Sequence, residues 1–221
     1  MNEAKDKIES VGPTFSVEGM LVVRDKTWEG IEAIARQIKS GMTEAEGERA
    51  ARTAVKKIGL LPGWHMICIR FGQNTVLEYG APSKPGVILQ ENDIFTVDIG
   101  PLWSGLEGDG GHTFVLGTDP EMHQAKRDVV ELWHRVKKQW QEKGLTGREL
   151  YDFAAAEADQ MGWIFNPAMA GHRVGDFPHN HLGPLNTVDR KPKQHLWILE
   201  ILIRHKTREF GAYYENLLVD D

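Results

Sequence analysis

The chain has 221 residues, long enough for one sizeable core and short for two full domains. With 41% hydrophobic and 26% charged residues it has the composition of a globular protein, which excludes a disordered or membrane-embedded chain. Its formal net charge of −6 leaves no basic field to draw it to nucleic acid or anionic lipid, so neither is an expected partner.

The first residues, MNEAKDKIESVGPTF, lack the apolar centre and small-residue cleavage site of a secretory signal, and no apolar run approaches the length of a bilayer span. The expected compartment is therefore the cytoplasm. From Glu18 to about Ser40 the spacing of Leu21, Trp28, Ile31, Ile34, Ala35 and Ile38 predicts an amphipathic helix. Thr43 and Glu46 form a capping box that opens a second helix, Glu44 to about Ile58, closed by Gly59 and Pro62. Residues 1 to about 60 thus read as an N-terminal helical segment of one domain spanning 1–221.

Trp64 to Phe71 reads as a strand containing the single cysteine, Cys68, as a small buried core residue, and GQNTVLEYGAPSKPG after it as a loop. Ile94 to Ile99 and His112 to Leu116 read as an antiparallel pair joined by GPLWSGLEGDGG, with a hairpin closing through Gly105 and Gly108. Asp119 and Pro120 open a helix to about Lys143 with Val129, Leu132, Trp133, Val136 and Trp140 as its stripe, stopped by Gly144. A second capping box, Thr146 with Glu149, opens a helix to about Met161. Two strands, Leu196 to Ile203 and Ala212 to Val219, end the chain. The order is helices, strands, helices, strands, which predicts an α+β fold with two related halves.

Five residues stand out against this pattern. Asp98 interrupts the apolar run IFTVDIG, and a buried acid there requires a pair, a hydrogen bond or a cation. Asp109 follows eleven residues later in GDGGHTF, where the hairpin brings the two carboxylates together, although an Asp-Gly pair is more often a plain turn. His172 lies in GHRVG. Glu200 sits mid-strand in WILEILI, the costliest charge in the sequence, and Glu215 in AYYENLLV repeats the pattern. Four carboxylates and an imidazole suit hard or borderline divalent ions, and two ions balance the charge better than one.

FTVDIG, the aspartate of GDGGHTF, GHRVG, the strand glutamate and YYEN, in this order over about Phe71 to Asp221, resemble the superfamily of methionine aminopeptidases, Xaa-Pro aminopeptidases and prolidases. The resemblance implies the pita-bread fold, two pseudo-symmetric α/β halves around a curved antiparallel sheet. It implies two divalent metal ions (manganese, cobalt, iron or zinc), with Asp98 on one, His172 and Glu200 on the other, and Asp109 and Glu215 bridging. Glu200 would also move the proton of the attacking water. His179, seven residues after His172, stands where the family keeps a histidine that contacts the substrate carbonyl, with His181 as its competitor.

The expected activity is removal of an N-terminal residue from a short peptide. Two other readings stay open: hydrolysis of a carbon–nitrogen bond in a small amide, and a catalytically silent module that binds peptides or proteins. The chain departs from the family at Glu78, where a histidine is usual before the tyrosine, at Ile201 for a proline, and at Tyr213 for the arginine of prolidases. Trp103, Tyr79, Phe177 and Tyr213 are candidate pocket walls. A homodimer stays open, since no residue sets the oligomeric state.

Overall fold

The computed structural model describes residues 8–61, 63–179 and 183–220. In the first half, α1 (Val17–Ala35) starts at Ser16, whose side chain accepts from Gly19 N, and α2 (Glu44–Lys57) starts at the reciprocal capping box of Thr43 and Glu46. The strands β1 (Cys68–Phe71), β2 (Asp93–Ile99) and β5 (Gly110–Leu116) follow, with a small hairpin of β3 (Leu102–Trp103) and β4 (Leu106–Glu107) inserted between the last two. The second half repeats the plan: α3 (Pro120–Lys143), α4 (Gly147–Gln160), then β6 (Ile164–Phe165), β7 (Ile198–Arg204) and β8 (Gly211–Leu217).

Apart from the β3–β4 hairpin, these strands form one antiparallel sheet in the order β1-β2-β5-β8-β7-β6. The order is palindromic: each half contributes two helices and three strands, and the halves meet where β5 lies beside β8. This is the curved antiparallel α+β architecture expected of a pita-bread fold.

Alternation along the strands decides what each face does. Val97, Ile99, Leu199, Ile201, Ile203, Ala212 and Tyr214 point to the helix side and are buried. There α1 and α2 pack on β1 and β2 through Ile31, Ile34, Ile69, Phe71 and Phe95, while α3 packs on β7 and β8 through Val129, Leu132, Trp133 and Val136, and α4, with Leu150 buried, packs on α3 and β6. Trp133 Nε1 donates to Leu199 O at 2.9 Å, so this large core side chain buries its polar atom satisfied. The opposite face carries Asp98, Glu200 and Glu215.

Three expectations about elements are corrected. α1 ends at Ala35, because Gln37 N and Ile38 N turn back onto Ile34 O and Ala35 O and the chain then reverses at Gly41, whose φ is 86°. Of the expected stripe Ile31, Ile34 and Ile38 are buried while Leu21, Trp28 and Ala35 are only partly covered, and the buried face of the helix is completed by Met20, Val23, Thr27 and Gly30. The reason is close approach: a Cβ on Gly30 would lie 2.9 Å from both Ile99 and Leu60 side chains, and Thr27 packs against Gly108 and Gly110. Hydrophobicity alone does not register glycine and threonine as contact residues. The strand read from Trp64 begins only at Cys68, because Trp64 N is bonded to Gly100 O and bends the preceding residues under the end of β2. Cys68 itself is half-buried, with burial and the neighbouring Asp98 pushing its thiol up to about 12. The inserted hairpin turns at Ser104 and Gly105, both with positive φ, rather than through Gly105 and Gly108.

Candidate metal centre

One register row carries most of the site. Cys68 lies opposite Asp98, Asp98 opposite Gly111, Gly111 opposite Glu215 and Glu215 opposite Glu200. Cross-strand partners share a face, so Asp98, Glu215 and Glu200 stand in a line across the sheet. Gly111 keeps the middle of that line open, since a Cβ there would lie 2.3 Å from the Tyr213 ring and 3.0 Å from Glu215 Oε1. Asp109, two residues before Gly111, projects to the same face.

His172 comes from the irregular stretch before β7, tied to it by Ile198 N donating to His172 O. Its Nε2 lies 2.7 Å from Asp109 Oδ2 and 3.4 Å from Glu200 Oε1, and its Nδ1 lies 3.1 Å from Arg173 O. All five residues singled out in the sequence therefore converge. They line a cavity of about 460 Å³ together with Trp64, His65, Tyr79, Met169, His179 and Tyr213, among others.

The site is short of partners for its charge. Asp98, Asp109, Glu200 and Glu215 are all buried, yet Asp98 Oδ1, Asp109 Oδ2 and Glu215 Oε1 have no hydrogen-bond donor. Asp109 Oδ2 and His172 Nε2 are close without the alignment of a hydrogen bond. Orphaned carboxylate oxygens on a buried face are costly, several kcal/mol per ion even after relaxation. Burial pushes the Asp98 carboxyl up to about 7 despite His65 beside it, and burial with the Asp109 and Asp98 charges holds Glu215 well above the carboxylate range. Burial also raises Glu200 against the pull of His172. Asp109 goes the other way: burial is outweighed by His65 and His172, which hold it below the usual range. The imidazoles mirror this. Burial opposes their charge, but Asp109 and Asp98 lift His65 to about 10, and Asp109 and Glu200 lift His172 to about 9.

Two sets of donor atoms lie within 4.8 Å of one another, His65 with Asp98 and Asp109, and Asp109 with His172 and Glu215. Carboxylate oxygens with imidazole nitrogens are the donor set of hard and borderline divalent ions, and cations in this place answer the orphaned oxygens. The residues fit a metal centre.

His179 lines the cavity, its Nδ1 2.5 Å from Glu107 Oε2, whereas His181 lies outside the described residues. Tyr213 donates through its hydroxyl to Glu200 Oε2 at 3.2 Å, so the tyrosine present in place of an arginine holds the strand glutamate. Ile201 is fully buried on the helix face, and Glu78 is at the cavity mouth. Tyr79 and Tyr213 wall the cavity. Trp103 and Phe177 do not: Lys26 lies over the Trp103 ring, and Phe177 is 49% exposed.

Sequence reasoning missed three residues. His65 sits among the acids, its Nε2 3.0 Å from Asp109 Oδ1, and Trp64 packs edge-on against His65, His172 and His179. Glu107, 2% exposed, accepts from Gly175 N and His179 N as well as engaging the His179 ring. An acid in a two-residue strand and a histidine beside a tryptophan carry no local signal of this convergence.

The model of metallopeptidase family M24 matches residues 18–219 of the chain. A methionine aminopeptidase of Clostridium acetobutylicum is 26% identical over 161 residues, covering 68% of this chain and 62% of that protein. Among solved structures, the X-Pro aminopeptidase of Thermotoga maritima superposes with a TM-score of 0.78 at 18% identity, over 97% of this chain and 60% of that one. The methionine aminopeptidase of Thermotoga maritima gives 0.72 at 18% identity, over 94% of this chain and 93% of that one. The chain thus spans less than two thirds of the first two relatives and nearly the whole of the third.

Proposed function

Because this chain belongs to metallopeptidase family M24, we propose that it is a dinuclear-metal hydrolase that removes an N-terminal residue from peptides. The observation that carries the proposal is the row of buried acids facing one cavity with three carboxylate oxygens lacking a donor. The whole chain acts as one catalytic domain, because neither half contains all the ligands.

Asp98 would hold one ion and His172 and Glu200 the other, with Asp109 and Glu215 shared between them. When bound, a pair of manganese, cobalt, iron or zinc ions supplies Lewis acidity that polarises the scissile carbonyl and acidifies the attacking water. Glu200, its Oε2 fixed by Tyr213 and its basicity raised by burial, takes the proton of that water and delivers it to the departing amine. In its doubly protonated form the His179 ring, its Nδ1–H held by Glu107, donates Nε2–H to the carbonyl oxygen as negative charge develops on it. The substrate's free α-amine enters beside the acids, in a cavity whose size suits one side chain and the first peptide bond. Trp64, Tyr79 and Met169 give this cavity an apolar wall.

The test is release of N-terminal residues from a mixed peptide library by metal-stripped protein reconstituted with manganese, cobalt or zinc. Cleavage that requires the metal is expected. No cleavage by protein carrying two ions per chain overturns the peptidase reading. Glu107→Gln is expected to lower kcat/KM by about 10- to 100-fold with metal content unchanged, the effect of removing a partner that orients a working histidine. An unchanged kcat/KM in that variant argues that His179 needs no orienting partner.

A further inference from the structure

We propose that His65 is a sixth metal ligand, completing the Asp98–Asp109 side of the centre so that each ion carries one imidazole. The inference rests on the dinuclear reading above and goes beyond its ligand set, which leaves that side with oxygen donors alone.

The first ground is position. His65 Nε2 lies 3.0 Å from Asp109 Oδ1 and 3.7 Å from Asp98 Oδ1, with 10% of its side chain exposed. Asp109 is thereby gripped at both ends, Oδ1 by His65 and Oδ2 by His172.

The second ground is that both histidines are built the same way. Nδ1 of His65 is 2.8 Å from the carbonyl of the next residue, Met66, as Nδ1 of His172 is 3.1 Å from that of Arg173. A ring nitrogen facing a carbonyl carries a proton, so Nε2 is the position that gives a lone pair once the ring is neutral. Histidines that ligate metals are oriented by such outer partners.

The third ground is that two glycines leave room for this ring. A Cβ on Gly100 would lie 2.1 Å from His65 Cδ2 and 2.3 Å from Nε2, and one on Gly63 would lie 1.8 Å from Gly100 O. Trp64 N donates to Gly100 O at 3.0 Å and Trp64 Nε1 to Gly108 O at 2.9 Å, clamping the residue before His65 to both ends of the segment joining β2 to β5. Met66 N donates to Tyr79 Oη at 3.1 Å and holds the other side. Chemically, an imidazole in place of an oxygen donor moves that ion's preference from manganese toward cobalt or zinc.

Titration of metal-stripped wild type, His65→Ala and His172→Ala with cobalt, followed by calorimetry and visible absorption, tests the proposal. The wild type is expected to bind two ions. His65→Ala is expected to keep one and to bind the second at least 100-fold more weakly, with a changed cobalt spectrum, and added free imidazole to restore part of that affinity. Two ions bound by His65→Ala with wild-type affinity and spectrum overturn the proposal while leaving the dinuclear reading intact. Fewer than two ions in the wild type overturn the dinuclear reading first. A measurement without substitution guards against misfolding of the variants: in ¹⁵N-histidine-labelled wild type loaded with zinc, two histidine Nε2 resonances are expected at coordinated shifts. One such resonance alone overturns the assignment of His65.

Discussion

Asp109→Ala is expected to strip the centre and lower kcat/KM by more than about 100-fold, beyond what loss of even an outer partner of a ligand costs. Asp109 is the carboxylate that both imidazoles touch, at 3.0 Å and 2.7 Å, and it belongs to both sets of converging donors. Its removal breaks each set at once. The fold should survive, because the same substitution takes one anion out of a crowded group. The Asp109 charge is among the causes that raise Asp98, Glu200 and Glu215, and those three ionise more readily without it. Metal analysis after desalting, kinetics and a melt of the metal-free chain check the three parts separately. Two retained ions with kcat/KM within tenfold of wild type would sink the bridging role.

Acidification from pH 6.5 to pH 4 is expected to destabilise the chain by about 3 kcal/mol through His112 alone, roughly 10 °C in Tm. His112 lies on the helix side of β5, edge-on to Trp28, Phe114 and Tyr214, with a buried Nδ1 that has no hydrogen-bond partner. Burial, with the Lys126 charge adding to it, lowers the imidazole from 6.5 to about 4. A base whose folded pKa is depressed is neutral in the folded chain while the unfolded chain takes up a proton. Stability from His112 is therefore complete above pH 6.5 and lost as pH falls toward 4, below which the loss is constant. His112→Phe keeps the aromatic packing and removes the titration. Comparing the two chains free of metal cancels the titration of the acid cluster, and parallel melting curves across this pH range would refute the assignment.

The elements with strong local grammar were legible in the sequence. Both capping boxes, the Gly144 stop with its left-handed φ of 66°, the stripe of α3 and the antiparallel β2–β5 pair stand where expected. Glu200 and Asp98 were legible because a charge within an apolar strand is anomalous whatever the fold. What escaped notice depends on contacts between distant segments. His65 reaches the cavity from an irregular stretch that resembled a strand, Glu107 meets His179 across 72 residues, and the contact face of α1 is set by Gly30 and Thr27, whose value is their small size. A single sequence records none of these distances.

The seam between the halves has its own consequence. Between β5 and β8 the register is a single pair, Gly111 with Glu215, and the next step of the ladder is supplied by a hydroxyl: Thr113 Oγ1 donates to Tyr213 O and accepts from Tyr213 N. Asp98 and Asp109 lie on one side of this seam, Glu200 and Glu215 on the other. Without cations, the acids facing each other across the least-laced line of the sheet relieve their repulsion by keeping protons. Cations held by the same oxygens, as the proposed function requires, would rivet it, and their binding free energy would add to cohesion of the two halves. Loading should therefore slow amide exchange at Tyr213 more than at Trp133, deep in one half.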